Sequence, residues 1–382
     1  MAPPSGLSAR AYVVMLERSG AIIASANADQ ELPIASTTKL MTAYVTLQRE
    51  PLQKLLVEQP YAASQGESLA PVPAGGRLGV ADMLRAMLLP SGNNVAYSLS
   101  VDVGGSTSAF VGLMNDAAAK LGLGRTHYTT PIGLDTPPGN YSTATDLARL
   151  ARVLMRDKTV REIVDEPRAQ LADGVVVDNR NDLVGAYPWV VGVKTGNTAA
   201  AGECLVAAAD LGGVRLISVV LGSPSEAARD ADTLTLLRYG LSLYRSAQIA
   251  VRGRVYATLP VAGRARPARL LAKRSSRLVL ARSVLLHVAL ELPARLRGPL
   301  PAGAVAGFLA VTENGRAVES VPLVTATAVP APRRRALARS GAYAVKPVVW
   351  YAAGGGLAIV LVGCSLPFMR RRAARSTTGL EQ

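Results

Sequence analysis

Leu32-Pro33-Ile34-Ala35-Ser36-Thr37-Thr38-Lys39-Leu40-Met41-Thr42-Ala43 is the stretch on which the reading of this chain turns. Apolar residues at three- and four-residue spacing carry the pattern on to residue 49, which predicts a helix over 36–49. Ser36 then stands in the first turn, where unpaired N–H groups and the helix dipole favour developing negative charge. Lys39 follows three residues on, so hydroxyl and amine leave the helix from one face. A serine hydroxyl becomes a competent nucleophile when a base takes its proton. Lysine can be that base once desolvation and neighbouring cations lower its pKa. Taken singly, Ser-x-x-Lys at a helix start is an ordinary cap followed by a solvated lysine.

Two further motifs change that reading. Ser91-Gly92-Asn93, about 55 residues on, puts a hydroxyl and an amide on a loop that opens a helix. Lys194-Thr195-Gly196, about 100 residues further, ends the apolar run Val191-Gly192-Val193 with a cation, a hydroxyl and a glycine, where backbone must approach a ligand closely. Ser91 suits a proton relay to a leaving amine, Asn93 a support for Lys39 and a substrate amide, and Lys194 an attractor for a substrate carboxylate. The N–H groups of Ser36 and Asn197 are the candidate oxyanion hole. Each motif alone is unspecific. Their order, with each on the element its role needs, predicts acyl transfer through an active-site serine.

Residues 11–15 and 21–25 read as strands joined through Arg18-Ser19-Gly20, a hairpin signal. Helical spacing follows over 36–49, 80–89, 93–101, 107–121 and 143–155. Strand-like runs return at 189–195, 204–209 and 215–221, and 226–244 closes the region as a helix. Strands from both ends with helices between them predict an α+β domain over residues 1–250, one antiparallel sheet flanked by helices. Short apolar runs broken by Gly and Pro over 251–329 predict a small β-sandwich. Residues 330–346, rich in Ala, Pro and Arg, read as a linker.

The 382 residues, 49% of them hydrophobic, suffice for more than one buried core. The net charge of +15 is unevenly placed: residues 1–250 carry 21 Lys and Arg against 23 Asp and Glu, and residues 251–382 carry 21 against 4. Nucleic acid is a poor partner for this charge, because aromatics are 4% and no recognition motif accompanies it. His127 and His287, without an H-E-x-x-H motif or a cysteine cluster, give no basis for a zinc site, and no cofactor or metal is expected. Cys204 and Cys364 fall in different regions, which argues against an intrachain disulfide. Residues 348–369 hold no charge and precede Arg370-Arg371-Arg372 and Arg375. As a helix these 22 residues would reach roughly 33 Å, enough for a ~30 Å hydrocarbon core, which predicts a transmembrane anchor over 347–369 and a basic cytoplasmic tail over 370–382. No apolar signal region opens the chain, so an upstream signal is expected.

The three motifs match the penicillin-binding-protein signature, and the chain resembles the serine-type D-Ala-D-Ala carboxypeptidases, low-molecular-mass penicillin-binding proteins. Residues 32–43, Met114-Asn115, Tyr141-Ser142-Thr143-Ala144-Thr145-Asp146-Leu147-Ala148 and Ala201-Gly202-Glu203-Cys204-Leu205-Val206-Ala207 all resemble family segments. Residues 252–328 resemble the family's C-terminal β-rich domain, and the resemblance also implies a membrane anchor. By the same likeness Arg229 matches an arginine that helps bind the terminal carboxylate, and Arg180 a second one on the substrate side. Thr130 and Asn197 depart from the family, which usually has Asn at the first position and an aromatic or histidine at the second. The first departure touches loop packing, and the second lines the cleft.

The resemblance implies removal of the terminal D-alanine from peptidoglycan stem peptides through an acyl-enzyme on Ser36, with β-lactams as mimics. It places the catalytic domain outside the cytoplasm on a C-terminal membrane anchor. Lys194, Thr195, Gly196 and Asn197 would bind substrate with Arg229 and Arg180, and the cationic pair of Lys194 and Arg229 would make the free C-terminal carboxylate a main determinant. A D,D-endopeptidase with the same residues and a non-catalytic wall-binding scaffold are the alternatives. A β-lactamase fits less well, since Gly92 stands where its second motif has Asp.

Overall fold

A computed structural model describes residues 4–135, 139–332, 349–353 and 356–360. The chain divides into two units, Met1–Ser246 and Ala247–Gln382.

In the first unit, β1 (Ala11–Leu16) and β2 (Ile22–Ala26) form the expected hairpin, turned at Gly20 with φ +78°. The sheet runs in the order β2, β1, Val214–Ser223, Gly202–Leu211, Val190–Thr198, with antiparallel pairing throughout. Strands from the two ends of the unit therefore meet at its centre, with Ala11 opposite Leu221 and Leu16 opposite Leu216. Burial is nearly continuous along the central strands because helices pack on them. The helices are α1 (Lys39–Arg49), α2 (Val80–Leu88), α3 (Asn93–Gly104), α4 (Thr107–Lys120) and α5 (Ala144–Leu154), with Glu226–Leu243 closing the unit. Ser106 and Thr143 cap α4 and α5, each accepting the amide three residues on.

The helix predicted from residue 36 begins instead as a 3₁₀ turn, Ala35–Thr38, and becomes α-helical at Lys39. Among the elements without a sequence signal are helix Lys158–Val164, capped by Asp157, and two short ribbons, Leu55–Val57 with Arg77–Gly79 and Arg168–Gln170 with Val176–Asp178. Segments of three residues are too short to display a period.

Among the described residues the second unit is all β. Its larger sheet runs Val255–Leu259, Ala268–Ala272, Arg316–Thr325, Val305–Glu313, Leu286–Glu291, Val349–Ala353, Gly356–Val360, and Tyr244–Ala250 pairs with Ser276–Ala281 in a smaller one. Leu270, Leu309, Val311, Val321 and Leu323 lie in its apolar core. The continuous helix expected over 347–369 is not what its described residues form. Val349–Ala353 pairs antiparallel with Gly356–Val360, and Tyr351 is in register with His287 on the next strand. Val349, Trp350, Tyr351, Ile359 and Val360 are strand-favouring, and a triple glycine at 354–356 disfavours an unbroken helix; hydropathy alone registers neither. Among the described residues no helix is long and apolar enough to cross a membrane. Residues 354–355, 361–369, the tail 370–382 and most of the expected linker lie outside the described residues.

Candidate active site

Ser36 is set by backbone geometry on both sides. Ala35 takes a left-handed φ of +46°, and the Thr37 amide and hydroxyl both donate to Ile34 O, which ties the turn down. In a 3₁₀ turn side chains three apart eclipse, so Lys39 lies directly along the turn from Ser36. Ser91 has φ +67°, so of the four described non-glycine residues with positive φ one lies in a motif and another, Ala35, directly precedes one. Strain of this kind costs on the order of 1–3 kcal/mol and persists where surrounding structure imposes it.

Lys39 is fully buried on α1. Its Nζ stands 2.9 Å from Ser36 Oγ, 2.6 Å from Asn93 Oδ1 and 3.0 Å from Ile132 O. An ammonium would donate to all three; a neutral amine donates to Asn93 and Ile132 and keeps its lone pair for the Ser36 proton. Burial, reinforced by Lys194 and Arg180, pushes Lys39 well below the ordinary lysine range, and Glu67 opposes the shift. The geometry and the charge environment therefore agree on a lysine able to act as base.

Asn93 opens α3. Its Nδ2 donates to Glu67 Oε2 at 2.8 Å, and its backbone N–H to Ser68 O. Tyr61 and the Ser64 amide also donate to Glu67; although burial works against ionisation, the bonds from Tyr61 and Asn93 hold its carboxyl below the usual range. The Ser91 hydroxyl has no hydrogen-bond partner among the described residues and lines the cavity beside Ser36. Gly92 is pinned: a Cβ there would lie 2.7 Å from Ala86 O and 2.8 Å from the Ala70 Cβ.

On the other side of the cavity, strand Val190–Thr198 brings Lys194, Thr195, Gly196 and Asn197 against the 3₁₀ turn. Lys194 is 1% exposed, and its Nζ donates to Thr195 O at 2.9 Å. Burial, then Arg180 and Arg229, lowers its pKa to about 7. The cavity, about 460 Å³, is lined by Ser36, Ser91, Thr195, Gly196 and Asn197 and also by Arg180 and Arg229. All the motif residues thus come to one place.

Arg229, which the resemblance assigns to the substrate carboxylate, is ion-paired within the protein. Its Nη1 lies 2.9 Å from Glu203 Oε2 and its Nε 2.9 Å from Asp230 Oδ1, with Glu226 at 3.9 Å. Glu203 faces Asn197 across the ladder and accepts from the Asn197 side-chain amide. Burial raises the Glu203 carboxyl above its ordinary pKa, and Arg229 opposes the rise. Arg180 remains exposed at the cavity rim, its backbone anchored by an N–H bond to Leu89 O. Sequence reasoning missed Glu67 and Glu203. A lone carboxylate heading an apolar strand was a readable signal for Glu203, while Glu67 sits in a loop without any pattern.

The family model for D-alanyl-D-alanine carboxypeptidase, peptidase S11, matches residues 1–225. The chain belongs to this family. It is 33% identical over 335 residues to the D-alanyl-D-alanine carboxypeptidase DacC of Escherichia coli K12, which covers 83% of each chain. To the D-alanyl-D-alanine carboxypeptidase of Streptomyces sp. K15 it is 33% identical over 247 residues, 59% of this chain and 84% of that one. Among solved structures, penicillin binding protein 5 from Haemophilus influenzae matches with a TM-score of 0.62 at 28% identity, over 86% of this chain and all of that one. The Streptomyces K15 DD-transpeptidase matches at 0.59 and 31%, over 64% of this chain and all of that one. Within this carboxypeptidase family member, Thr130 packs its loop, its Oγ1 accepting from the Gly133 N–H at 3.0 Å.

Proposed function

We propose that the chain is a serine D-Ala-D-Ala carboxypeptidase acting on peptidoglycan stem peptides. The observation that carries this reading is the 2.9 Å approach of a fully buried Lys39 Nζ to Ser36 Oγ, within a three-motif cavity of a D-alanyl-D-alanine carboxypeptidase family member. Ser36 Oγ attacks the carbonyl carbon of the penultimate D-Ala while its proton passes to Lys39 Nζ. The carbonyl π electrons move to oxygen, which the Ser36 and Asn197 N–H groups receive. On collapse the C–N bond breaks, the amine takes a proton through Ser91, and D-alanine leaves. Water then attacks the ester, yields a proton to Lys39 and frees the shortened peptide, regenerating Ser36. Lys194 and Arg180 draw the substrate's terminal carboxylate into the cavity.

β-Lactams would enter the same sequence and remain as acyl-Ser36. Labelling with a fluorescent penicillin, lost in Ser36→Ala, together with D-alanine release from a pentapeptide is the expected result. A label that survives Ser36→Ala overturns the assignment of the nucleophile. Release of D-alanine faster than cleavage of a crosslinked muropeptide separates this reading from an endopeptidase.

The enzyme works outside the cytoplasm and attaches to the membrane through its C-terminal end. Support comes from the charge-free stretch 348–369 and the arginines after it. A chain stopped near residue 329 should be soluble and active, and the full chain should sediment with membrane. Protease protection that puts the first unit in the cytosol of the native host overturns this placement.

A further inference from the structure

We propose that Glu203 is a specificity-determining residue, an internal carboxylate held on Arg229 that weakens the enzyme's preference for substrates with a free C-terminal carboxylate. The inference rests on the carboxypeptidase reading and concerns the same cavity.

Glu203 is 5% exposed and lines the cavity with Ser36, Thr195 and Asn197. Its two oxygens are divided, Oε1 accepting from the Asn197 amide and Oε2 from Arg229 Nη1 at 2.9 Å. Arg229, equally buried, also meets Asp230 at 2.9 Å and Glu226 at 3.9 Å. One guanidinium therefore faces three carboxylates. Asp182 and Glu226 line the same cavity, so a substrate carboxylate approaching Arg229 meets like charge and must compete with Glu203 for the Nη1 donor. Charge-assisted bonds from arginine to carboxylate are among the stronger polar contacts, and a preformed buried one is not given up lightly. Arg180 is left as the exposed cation on the cavity wall, with Lys194 buried beside Thr195.

A peptide with an amidated C-terminus carries no charge there and is indifferent to this competition. The free acid gains from Lys194 and Arg180 and loses at Glu203. The wild-type enzyme should therefore distinguish the two ends poorly, and removing the Glu203 charge should restore discrimination. Glu203→Gln keeps the shape of the side chain and one carbonyl acceptor for Asn197 or Arg229 while removing the competing anion.

The test compares kcat/KM for one peptide ending in D-Ala-D-Ala as the free acid and as the amide. Where hydrolysis is slow, the ratio is read from protection of Ser36 against a fluorescent penicillin. We expect the acid-to-amide ratio to rise by about tenfold or more in Glu203→Gln, and to fall back when Arg229→Gln is added. Thermal melting of Glu203→Gln establishes that it is folded. A ratio that does not move, or rates for both peptides that fall in step with a lowered melting temperature, overturns the proposal and leaves Glu203 a structural counter-ion. Failure of wild-type Ser36 to label at all is a different result: it strikes the proposed function itself and carries this inference with it.

Discussion

A Cβ placed on Gly196 would lie 3.0 Å from the Ser36 amide nitrogen and 3.1 Å from that of Thr37. Any side chain at this position must push the Lys194 strand away from the turn that presents the nucleophile. Gly196→Ala should lower the rate of penicillin acylation by on the order of 10²-fold, the scale on which small misplacements act in pre-organised sites. Stopped-flow acylation alongside a melting curve near that of wild type checks it, and an unchanged acylation rate would show that the strand yields freely.

Acylation should rise with pH through the pKa of Lys39. Since burial and the nearby cations Lys194 and Arg180 lower that pKa, the base form appears at lower pH than for an exposed lysine. Lys39→Arg keeps a charge that cannot be shed and should reduce acylation by roughly 10²–10⁴-fold at every pH tested. A measurable base limb persisting in Lys39→Arg would assign that limb to another group.

Lys194 titrates at about 7 in the free enzyme, so its cation is present below that pH and lost above it. Affinity for carboxylate-bearing peptides should fall as pH rises past neutrality, seen as an increase in KM. The same pH series with an amide-capped peptide should show a flatter KM.

Glu67 holds Asn93 in place and its charge supports protonated Lys39. Removing that charge disfavours the ammonium, so Glu67→Gln should move the base limb of acylation to lower pH. Loosening of Asn93 should cost about tenfold in the plateau rate. An unmoved limb would mean that the Glu67 charge is screened from Lys39.

Gly92→Asp would bring the second motif closer to a β-lactamase pattern, yet Ala86 O and Ala70 leave no space for the new side chain. The variant should lose about 1–3 kcal/mol of stability without gaining antibiotic turnover. Denaturant unfolding and a nitrocefin assay test the two halves separately.

Ser36, Lys39, Asn93 and Lys194 were legible because the proposed chemistry asks for fixed residue types at fixed places on regular elements, and the fold brings those places together. The helices were readable for a related reason, since their apolar faces are long and capped by residues such as Ser106 and Thr143. Glu67 was not, because a loop between two three-residue strands carries it to Asn93, and nothing in its neighbours encodes that path. Arg229 was read by likeness alone, and likeness does not reveal that Glu203 already occupies it. The strands at 349–353 and 356–360 were not legible because absence of charge is shared by membrane helices and apolar strands. Trp350, Tyr351, Ile359 and Val360 carried the information that would have separated the two.

Cys204 stands opposite Gly196 in the ladder and is completely buried, with burial pushing its thiol up to about 11. An alkylating reagent can reach that sulfur only when the core packed around this strand pair opens. Its labelling rate in the untreated enzyme thus becomes a clock for breathing of the catalytic sheet, read without introducing a probe. Acylation at Ser36 braces the Lys194 strand of that pair from the cavity side, so a penicillin-bound sample should run that clock more slowly.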